Sequence, residues 1–163
     1  MNHPVSADFT TCDLYDDYLD AARVALPVFQ HFGGRKKFSG LAVTVKCFED
    51  NSRIKELAGT DGRGKVMMVD AGGSTRCAVL GDMIAGDAQR NGWEGVVIYG
   101  CVRDRVALAG LDIGVMALGT LPRKSSRRGE GTVNIPVTLA NILCTPDDRV
   151  FADEDGLLLL DPA

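Results

Sequence analysis

The stretch from Asp70 to Asp104 constrains the fold of this 163-residue chain more than any other. An apolar run, Lys65 to Asp70 (KVMMVD), leads into the turn Ala71-Gly72-Gly73-Ser74. Apolar residues at 79, 80, 83, 84 and 88 then recur with helical spacing, which predicts a helix over 78–91 stopped by Asn91-Gly92. A second apolar run, Gly95 to Tyr99 (GVVIY), follows and ends at Gly100-Cys101-Val102-Arg103-Asp104. The unit reads as strand, glycine-rich turn, helix and parallel strand, joined by a right-handed crossover. Open α/β sheets bind small molecules at the carboxyl ends of their strands, which is where Arg103 and Asp104 fall.

The flanking sequence extends this unit. Thr11-Cys12-Asp13 opens a stretch with apolar residues at 14, 18, 21, 22, 25 and 26, an amphipathic helix with Thr or Asp as N-cap and Pro27 past its end. Its acidic residues at 13, 16, 17 and 20 form a solvated face. Leu41 to Phe48 alternates with period two, a strand, and delivers Glu49-Asp50-Asn51-Ser52 at its end. There Ser52 or Asn51 is placed to cap a short helix, Arg53 to Ala58. Val106 to Leu111 reads as one helical turn and Gly114 to Leu118 as a buried strand. In the last third, Pro136 makes Val133 to Leu139 an edge or bulged strand. Asn141 to Cys144, Arg149 to Ala152 and Leu157 to Leu160 are short apolar runs, and Asp155-Gly156 between the last two signals a hairpin. The expected fold is one α/β domain, 1–163, in which an antiparallel portion extends a parallel core into a mixed sheet.

Charge and motifs narrow the function. A net charge of −4 and a pI near 5.1 argue against non-specific nucleic-acid binding. The one basic run, Arg123-Lys124-Ser125-Ser126-Arg127-Arg128-Gly129, is an exposed loop or a patch for an anionic partner or substrate. No apolar run approaches the roughly 18 residues that cross a bilayer, and MNHPVSADFT lacks a signal-peptide pattern, so no membrane role and a cytoplasmic location are expected. The five cysteines are widely spaced with no CxxC pair, as structural reduced thiols would be. Neither GxxxxGK[ST] nor GxGxxG is present, so Gly72-Gly73-Ser74 reads as a close-packed turn before it reads as a phosphate loop. HExxH is absent, and with His3 in a tail and His31 in a loop, a histidine triad or zinc site is not expected.

Arg103 and Asp104 carry the chemistry that remains. The planar fork of Arg103 matches a substrate carboxylate. Asp104 suits a hard divalent cation such as Mg²⁺, which uses one or two protein carboxylates and keeps several waters. Gly81-Asp82-Met83-Ile84 offers backbone N–H groups to an anion if a helix starts or breaks there. Together these fit a metal-polarised 2-oxo acid whose enolate is stabilised as a C–C bond breaks. The alternative is a structural Arg–Asp ion pair.

The segments GGSTRCAVLGDM, NGWEGVVIYGCVRD and LDIGVMALG, with FGGRKKFSGLAVTVKCFEDNS upstream and FADEDG downstream, resemble the regulator of ribonuclease activity A family. That family also contains metal-dependent 4-hydroxy-4-methyl-2-oxoglutarate aldolases, and the likeness covers nearly the whole chain. It implies a swivelling three-layer β/β/α domain assembled as a homotrimer or a dimer of trimers, with a cleft between subunits. For an aldolase member it implies substrate held by the backbone of Gly81, Asp82, Met83 and Ile84. Arg103 would bind pyruvate's carboxylate, and Asp104 would orient a Mg or Mn ion through water. The implied reaction is that of a class II aldolase, a carbon–carbon lyase that releases pyruvate and also decarboxylates oxaloacetate. For a regulator member it implies instead a protein that binds ribonuclease E and masks it without chemistry. The sequence departs from the aldolase pattern R-D-x-x-E/D at Ala107, which removes a carboxylate near the metal. Asp82 replaces a small or amide residue, adding negative charge at the turn or a further ligand for the metal.

Overall fold

Glycines and asparagines punctuate the apolar runs, and the chain turns where they fall. The computed structural model describes residues 7–163, so His3 and the first six residues of MNHPVSADFT lie outside the described residues. The helices are α1 (Thr11–Tyr18), α2 (Ser52–Ala58), α3 (Asp82–Arg90) and α4 (Arg105–Ala109). The first strands are β1 (Arg23–Val24), β2 (Gln30–His31), β3 (Phe38–Lys46), β4 (Lys65–Asp70), β5 (Ala78–Leu80) and β6 (Gly95–Tyr99). They are followed by β7 (Cys101–Val102), β8 (Gly114–Ala117), β9 (Gly119–Thr120) and β10 (Thr132–Val133). The last are β11 (Val137–Leu139), β12 (Ile142–Cys144), β13 (Arg149–Asp153) and β14 (Gly156–Leu160).

The central sheet runs β1-β14-β13-β3-β4-β6-β8-β2, and β10 pairs with the far end of β3. Strands β3, β4, β6 and β8 are mutually parallel, whereas β1, β2, β10, β13 and β14 join antiparallel. The sheet is therefore mixed, as expected. Its parallel centre is buried on both faces, which is why KVMMVD and GVVIY read as unbroken apolar runs. On one face Val45, Met67, Val69, Val96, Ile98 and Val115 pack against Ile54 and Ala58 of α2 and Ile84, Ala85 and Ala88 of α3. On the other, Ala42, Val66, Met68, Val97 and Met116 meet Val137, Leu139, Ile142 and Cys144 of the β11–β12 hairpin. Hairpin, sheet and helices make the three β/β/α layers. A small parallel sheet, β5-β7-β9, continues beyond the strand ends and carries the site.

Three local expectations change. The helix read over 78–91 starts only at Asp82, because Ala78–Leu80 pairs as a parallel strand with β7, and three consecutive buried residues cannot show the period that separates strand from helix. The helix that opens at Thr11 is capped by Thr10, whose hydroxyl accepts the Asp13 N–H at 3.0 Å, and it ends at Tyr18. Leu19 then turns back with φ 48°, and Arg23–Val24 is drawn off to cover the open edge of β14. Third, α2 is capped by neither Asn51 nor Ser52: the Asp50 carboxylate accepts the Ser52 N–H at 2.9 Å.

The hairpin at Asp155-Gly156 forms as expected, with Asp153 opposite Gly156. Among the described residues the cysteines are unbridged, and four of the five are buried. Burial pushes the thiols of Cys47 and Cys144 up to about 12, so neither supplies a thiolate. His31 lies in β2, with its Nε2 2.6 Å from the carbonyl of Asp153, far from Arg103 in the sheet order. No helix of the described residues is long and apolar enough to cross a membrane.

The parallel strands also admit one tight approach. Gly95 and Gly114 are paired neighbours on β6 and β8, and the Phe38 ring sits over both, 2.4 and 2.1 Å from where a Cβ would be. Gly114→Ala is predicted to destabilise the fold by about 1–3 kcal/mol through overpacking, read as a lower urea midpoint.

Candidate functional site

Parallel strands β5 and β7 end side by side, and each hands the chain to a helix at the same edge. Strand β5 passes through Gly81, in extended conformation, into α3. Strand β7 passes through Arg103 and Asp104 into α4, and Asp104 adopts the left-handed conformation (φ 64°) that lets the chain reverse. Asp tolerates that conformation better than most side chains. The Arg103 N–H donates to the Leu80 carbonyl at 2.9 Å, which locks the two strand ends together.

Gly81 has no side chain with which to cap α3. Asp104 does so from the neighbouring element: its Oδ2 accepts the Asp82 N–H at 3.1 Å. The N–H groups of Met83 and Ile84 are those that a helix start leaves without intrahelical partners, and the helix dipole adds positive potential there. Around this point lies a hollow of about 400 Å³ lined by Gly81, Asp82, Met83, Ile84, Arg103 and Asp104. All six residues expected from the sequence are thus brought together. Arg103 and Asp104 are not a closed ion pair in a dry interior. Arg103 Nε is 4.0 Å from Asp104 Oδ2, their side chains are 40% and 38% exposed, and Arg103 Nη1 donates to the Pro122 carbonyl at 3.2 Å.

Sequence reasoning missed the second wall of the hollow, formed by Asn51 and by Lys124, Ser125, Ser126 and Arg127 of the basic run. That run is not a free loop. The Ala78 N–H donates to the Arg123 carbonyl at 2.7 Å, and the Ser125 N–H returns to the Ala78 carbonyl at 3.0 Å. The Ser126 N–H and hydroxyl both donate to the Glu49 carbonyl, at 3.1 and 2.8 Å. Buried Asp50 accepts the Arg128 N–H at 2.6 Å, and the Ser52 hydroxyl accepts the Gly129 N–H at 2.8 Å. The signal in the sequence was the polar cluster Glu49-Asp50-Asn51-Ser52 at the end of β3. What no local pattern revealed is that the run after β9 comes back to strap it.

Asp82 and Asp104 are the carboxylates in the hollow. Among the described residues no three His, Cys, Asp or Glu side chains cluster as a full protein cage for a metal. Two carboxylates, one of them fixed by an N–H, nevertheless fit a hydrated Mg²⁺ or Mn²⁺, which takes few protein ligands. Ala107, where the aldolase pattern has a carboxylate, is exposed on α4 and adds no donor. A larger hollow of about 510 Å³, lined by Tyr15, Leu26, Phe29 and Met116 among others, holds no cationic side chain.

The Aldolase/RraA family, described as RraA-like, matches residues 11–159. The chain belongs to that family. A relative from Alcanivorax borkumensis, provisionally named as a 4-hydroxy-4-methyl-2-oxoglutarate aldolase, is 55% identical over 92% of this chain and 94% of its own length. The solved RNA-processing inhibitor RraA from Thermus thermophilis superposes with a TM-score of 0.92 at 41% identity, covering 95% of this chain and 94% of that one. A Geobacillus kaustophilus structure described as an S-adenosylmethionine:2-dimethylmenaquinone methyltransferase also gives 0.92, at 39% identity over 95% and 96%.

Two outcomes test this geometry. A Cβ on Gly81 would lie 2.6 Å from Asp104 Oδ2, so Gly81→Ala is predicted to expel the Asp104 carboxylate from the start of α3, visible in a crystal structure as loss of its bond to the Asp82 N–H. Glu49, which anchors the strap, is held at about 2 by hydrogen bonds from Arg76 and Ser74. Because its pKa is lowered, the Arg76 contact favours the folded protein above the usual carboxylate range and fades as pH falls through about 2. Arg76→Ala should return the Glu49 midpoint toward its ordinary value near ~4.3 in a carboxyl NMR titration.

Proposed function

We propose that the protein is a divalent-metal-dependent carbon–carbon lyase. It cleaves 4-hydroxy-2-oxo acids of the 4-hydroxy-4-methyl-2-oxoglutarate type to pyruvate, and decarboxylates oxaloacetate by the same chemistry. The observation that carries this reading is the opening of Arg103 and Asp104 into one hollow with the uncapped N–H groups of α3. Relatives of about half identity that bear the aldolase name support it.

In this reading the Arg103 fork binds the substrate's 1-carboxylate through paired charge-assisted hydrogen bonds. The N–H groups of Met83 and Ile84 face the 2-oxo oxygen, where negative charge builds as the C3–C4 bond breaks. The Asp82 N–H keeps the Asp104 carboxylate in a single orientation. Asp104, with Asp82 and water, would hold a Mg²⁺ or Mn²⁺ ion, which would supply Lewis acidity to the developing enolate. The C4 hydroxyl gives its proton to water as the C3–C4 bond breaks, so that the C4 fragment leaves as a carbonyl compound; the bonding electrons pass into the enolate of pyruvate, which takes a proton back from water at C3. Assembly as a trimer, or a dimer of trimers, would cover Met83 and Val106, apolar side chains that are 80% and 89% exposed.

Pyruvate release from 4-hydroxy-4-methyl-2-oxoglutarate and from oxaloacetate, with Mg²⁺ or Mn²⁺ against EDTA, tests the proposal. EDTA should abolish turnover. Arg103→Ala should lower kcat/KM by about 100-fold or more, the scale of losing a charge-assisted contact to the reacting group, and by more than Asp104→Asn. Turnover that survives EDTA, or is unchanged in both variants, rejects the metal mechanism.

A second reading, a ribonuclease E-binding regulator, is favoured by the 41% identity to the RNA-processing inhibitor and by Ala107. Retention of ribonuclease E on the immobilised protein at micromolar concentration, unaffected by Arg103→Ala, is its expected result.

A further inference from the structure

The basic strap also lines a second hollow. About 400 Å³ in volume, it shares Lys124, Ser125 and Ser126 with the first, but is otherwise lined by different residues, among them Phe48, Glu49, Arg76, Arg123 and Arg128. We propose that this second hollow binds a nucleotide, with the phosphate on the cations of the strap and the base stacked on Phe48. Such a site goes beyond the lyase reading and stands without it.

The charges in the hollow leave cations to spare. It holds four, Arg76, Arg123, Lys124 and Arg128, against the carboxylates of Glu49 and Glu130. Glu49 and Arg76 are spent on each other, through Nε at 2.7 Å and Nη2 at 2.8 Å, and the Ser74 hydroxyl donates to the same carboxylate at 2.6 Å. Arg53, Arg63 and Arg90 elsewhere pair with Glu56, Asp61 and Asp87. Among the described residues no carboxylate lies within ion-pair distance of Arg123, Lys124, Arg127 or Arg128. A phosphomonoester, with a charge near ~−2 at neutral pH, matches that surplus. The net charge of −4 conceals it, because the acidic residues lie elsewhere on the chain.

The cations stand on a fixed backbone. The Arg123 carbonyl accepts the Ala78 N–H, the Ser126 N–H donates to the Glu49 carbonyl, and the Arg128 N–H donates to buried Asp50. In each case the main chain makes the anchoring bond, so the side chains of Arg123, Lys124 and Arg128 stay exposed and available to a ligand. A cation on such a strap loses less freedom on binding than one on a loose loop.

Phe48 decides what kind of anion fits. Its ring is 53% exposed at the end of β3, yet it is held in place. Gly72, at φ 70°, gives it room: a Cβ there would lie 2.6 Å from Phe48 Cδ1. The Arg76 guanidinium carbon lies 5.7 Å from the ring centroid, a cation–π contact. An aromatic ring beside a cationic groove is how single-stranded nucleic-acid sites hold a base and its phosphate together. Inorganic phosphate or an aliphatic carboxylate would engage the cations and leave the ring in water. A nucleotide uses both, and the hollow falls within the size range of small-ligand sites.

The test is titration calorimetry of the full-length protein with three probes: AMP, ribose 5-phosphate, which lacks the base, and single-stranded hexaadenylate. AMP should bind at least about fivefold more tightly than ribose 5-phosphate, the scale of one stacked base. Phe48→Ala should erase that difference and Phe48→Trp should keep it. Arg128→Gln retains the backbone bond to Asp50 and should weaken both phosphates by about tenfold, the scale of a hydrogen bond to a charged group. Arg103→Ala should leave AMP within about twofold, because Arg103 does not line this hollow. A hexamer that binds more tightly than AMP, with a steeper salt dependence, makes an RNA strand the source of the nucleotide; one that binds no more tightly makes the source a free nucleotide. Failure of both AMP and the hexamer to bind at millimolar concentration overturns the proposal. So does AMP that binds no more tightly than ribose 5-phosphate, which leaves a general anion patch, and so does binding that Phe48→Ala leaves intact. Loss of AMP in Arg103→Ala also overturns it, by putting the phosphate in the first hollow. Pyruvate release is not the readout, so a failed lyase and a failed nucleotide site are told apart.

Discussion

The site depends on a missing atom. Two helix starts converge at the edge of the β5-β7-β9 sheet, and the carboxylate of Asp104 reaches the first N–H of α3 only because residue 81 has no Cβ. An alanine there would meet Asp104 Oδ2 at 2.6 Å and Arg103 Cγ at 3.4 Å, so the same absence makes room for both charged groups. Asp104 sits in the left-handed region, a conformation that costs a non-glycine residue on the order of 1 kcal/mol or more. Its hydrogen bond to the Asp82 N–H offsets part of that cost and fixes the carboxylate. Strain, cap and candidate ligand position are therefore one arrangement, with the Arg103 N–H bond to Leu80 holding its two halves in register.

What holds the edge still is the sheet beneath it. Strands β4 and β6 are buried on both faces, between the helices and the β11–β12 hairpin, so neither can tilt without opening a cavity in one of two cores. The Phe38 ring filling the space over Gly95 and Gly114 ties the parallel centre to β3 in the same way. Strand β3 ends at Lys46, and its last residues lead directly into Glu49, Asp50 and Asn51, which hold the basic strap. Both walls of the hollow thus grow from the carboxyl ends of packed strands, a more exact support than loops alone would give.

The sequence was most readable where one strand's pattern is decided locally. KVMMVD, GVVIY and the Asp155-Gly156 hairpin fall where expected, and Gly81 to Ile84 and Arg103-Asp104 come together around one hollow at the strand ends. It was least readable where a tertiary pairing overrode local preference. Ala78–Leu80 could have continued α3 but is claimed by β7, and Arg23–Val24 could have continued α1 but is claimed by the open edge of β14. The strap was hidden for the same reason. Arg123 to Arg128 has the composition of a solvated loop, and only its pairing with Asp50 and Ala78, far earlier in the chain, makes it a wall.

The relatives carry names for a lyase, an inhibitor and a methyltransferase on one scaffold, so the fold alone does not choose between them. The charges are more discriminating. A surface that only docks against another protein gains nothing from a left-handed aspartate, from a helix start capped out of a neighbouring element, or from cations turned into a concavity and left unpaired. The first opposes stability through strain, which the cap offsets only in part, and the last through like-charge repulsion, and each has a use where an anion must be gripped while negative charge moves along it. On the lyase reading proposed above, Ala107 takes a carboxylate from the metal side of that arrangement and nothing from the anion-binding side. These features are what favours the proposed lyase reading, in which the hollow holds and polarises a carboxylate-bearing ligand, over a passive docking face.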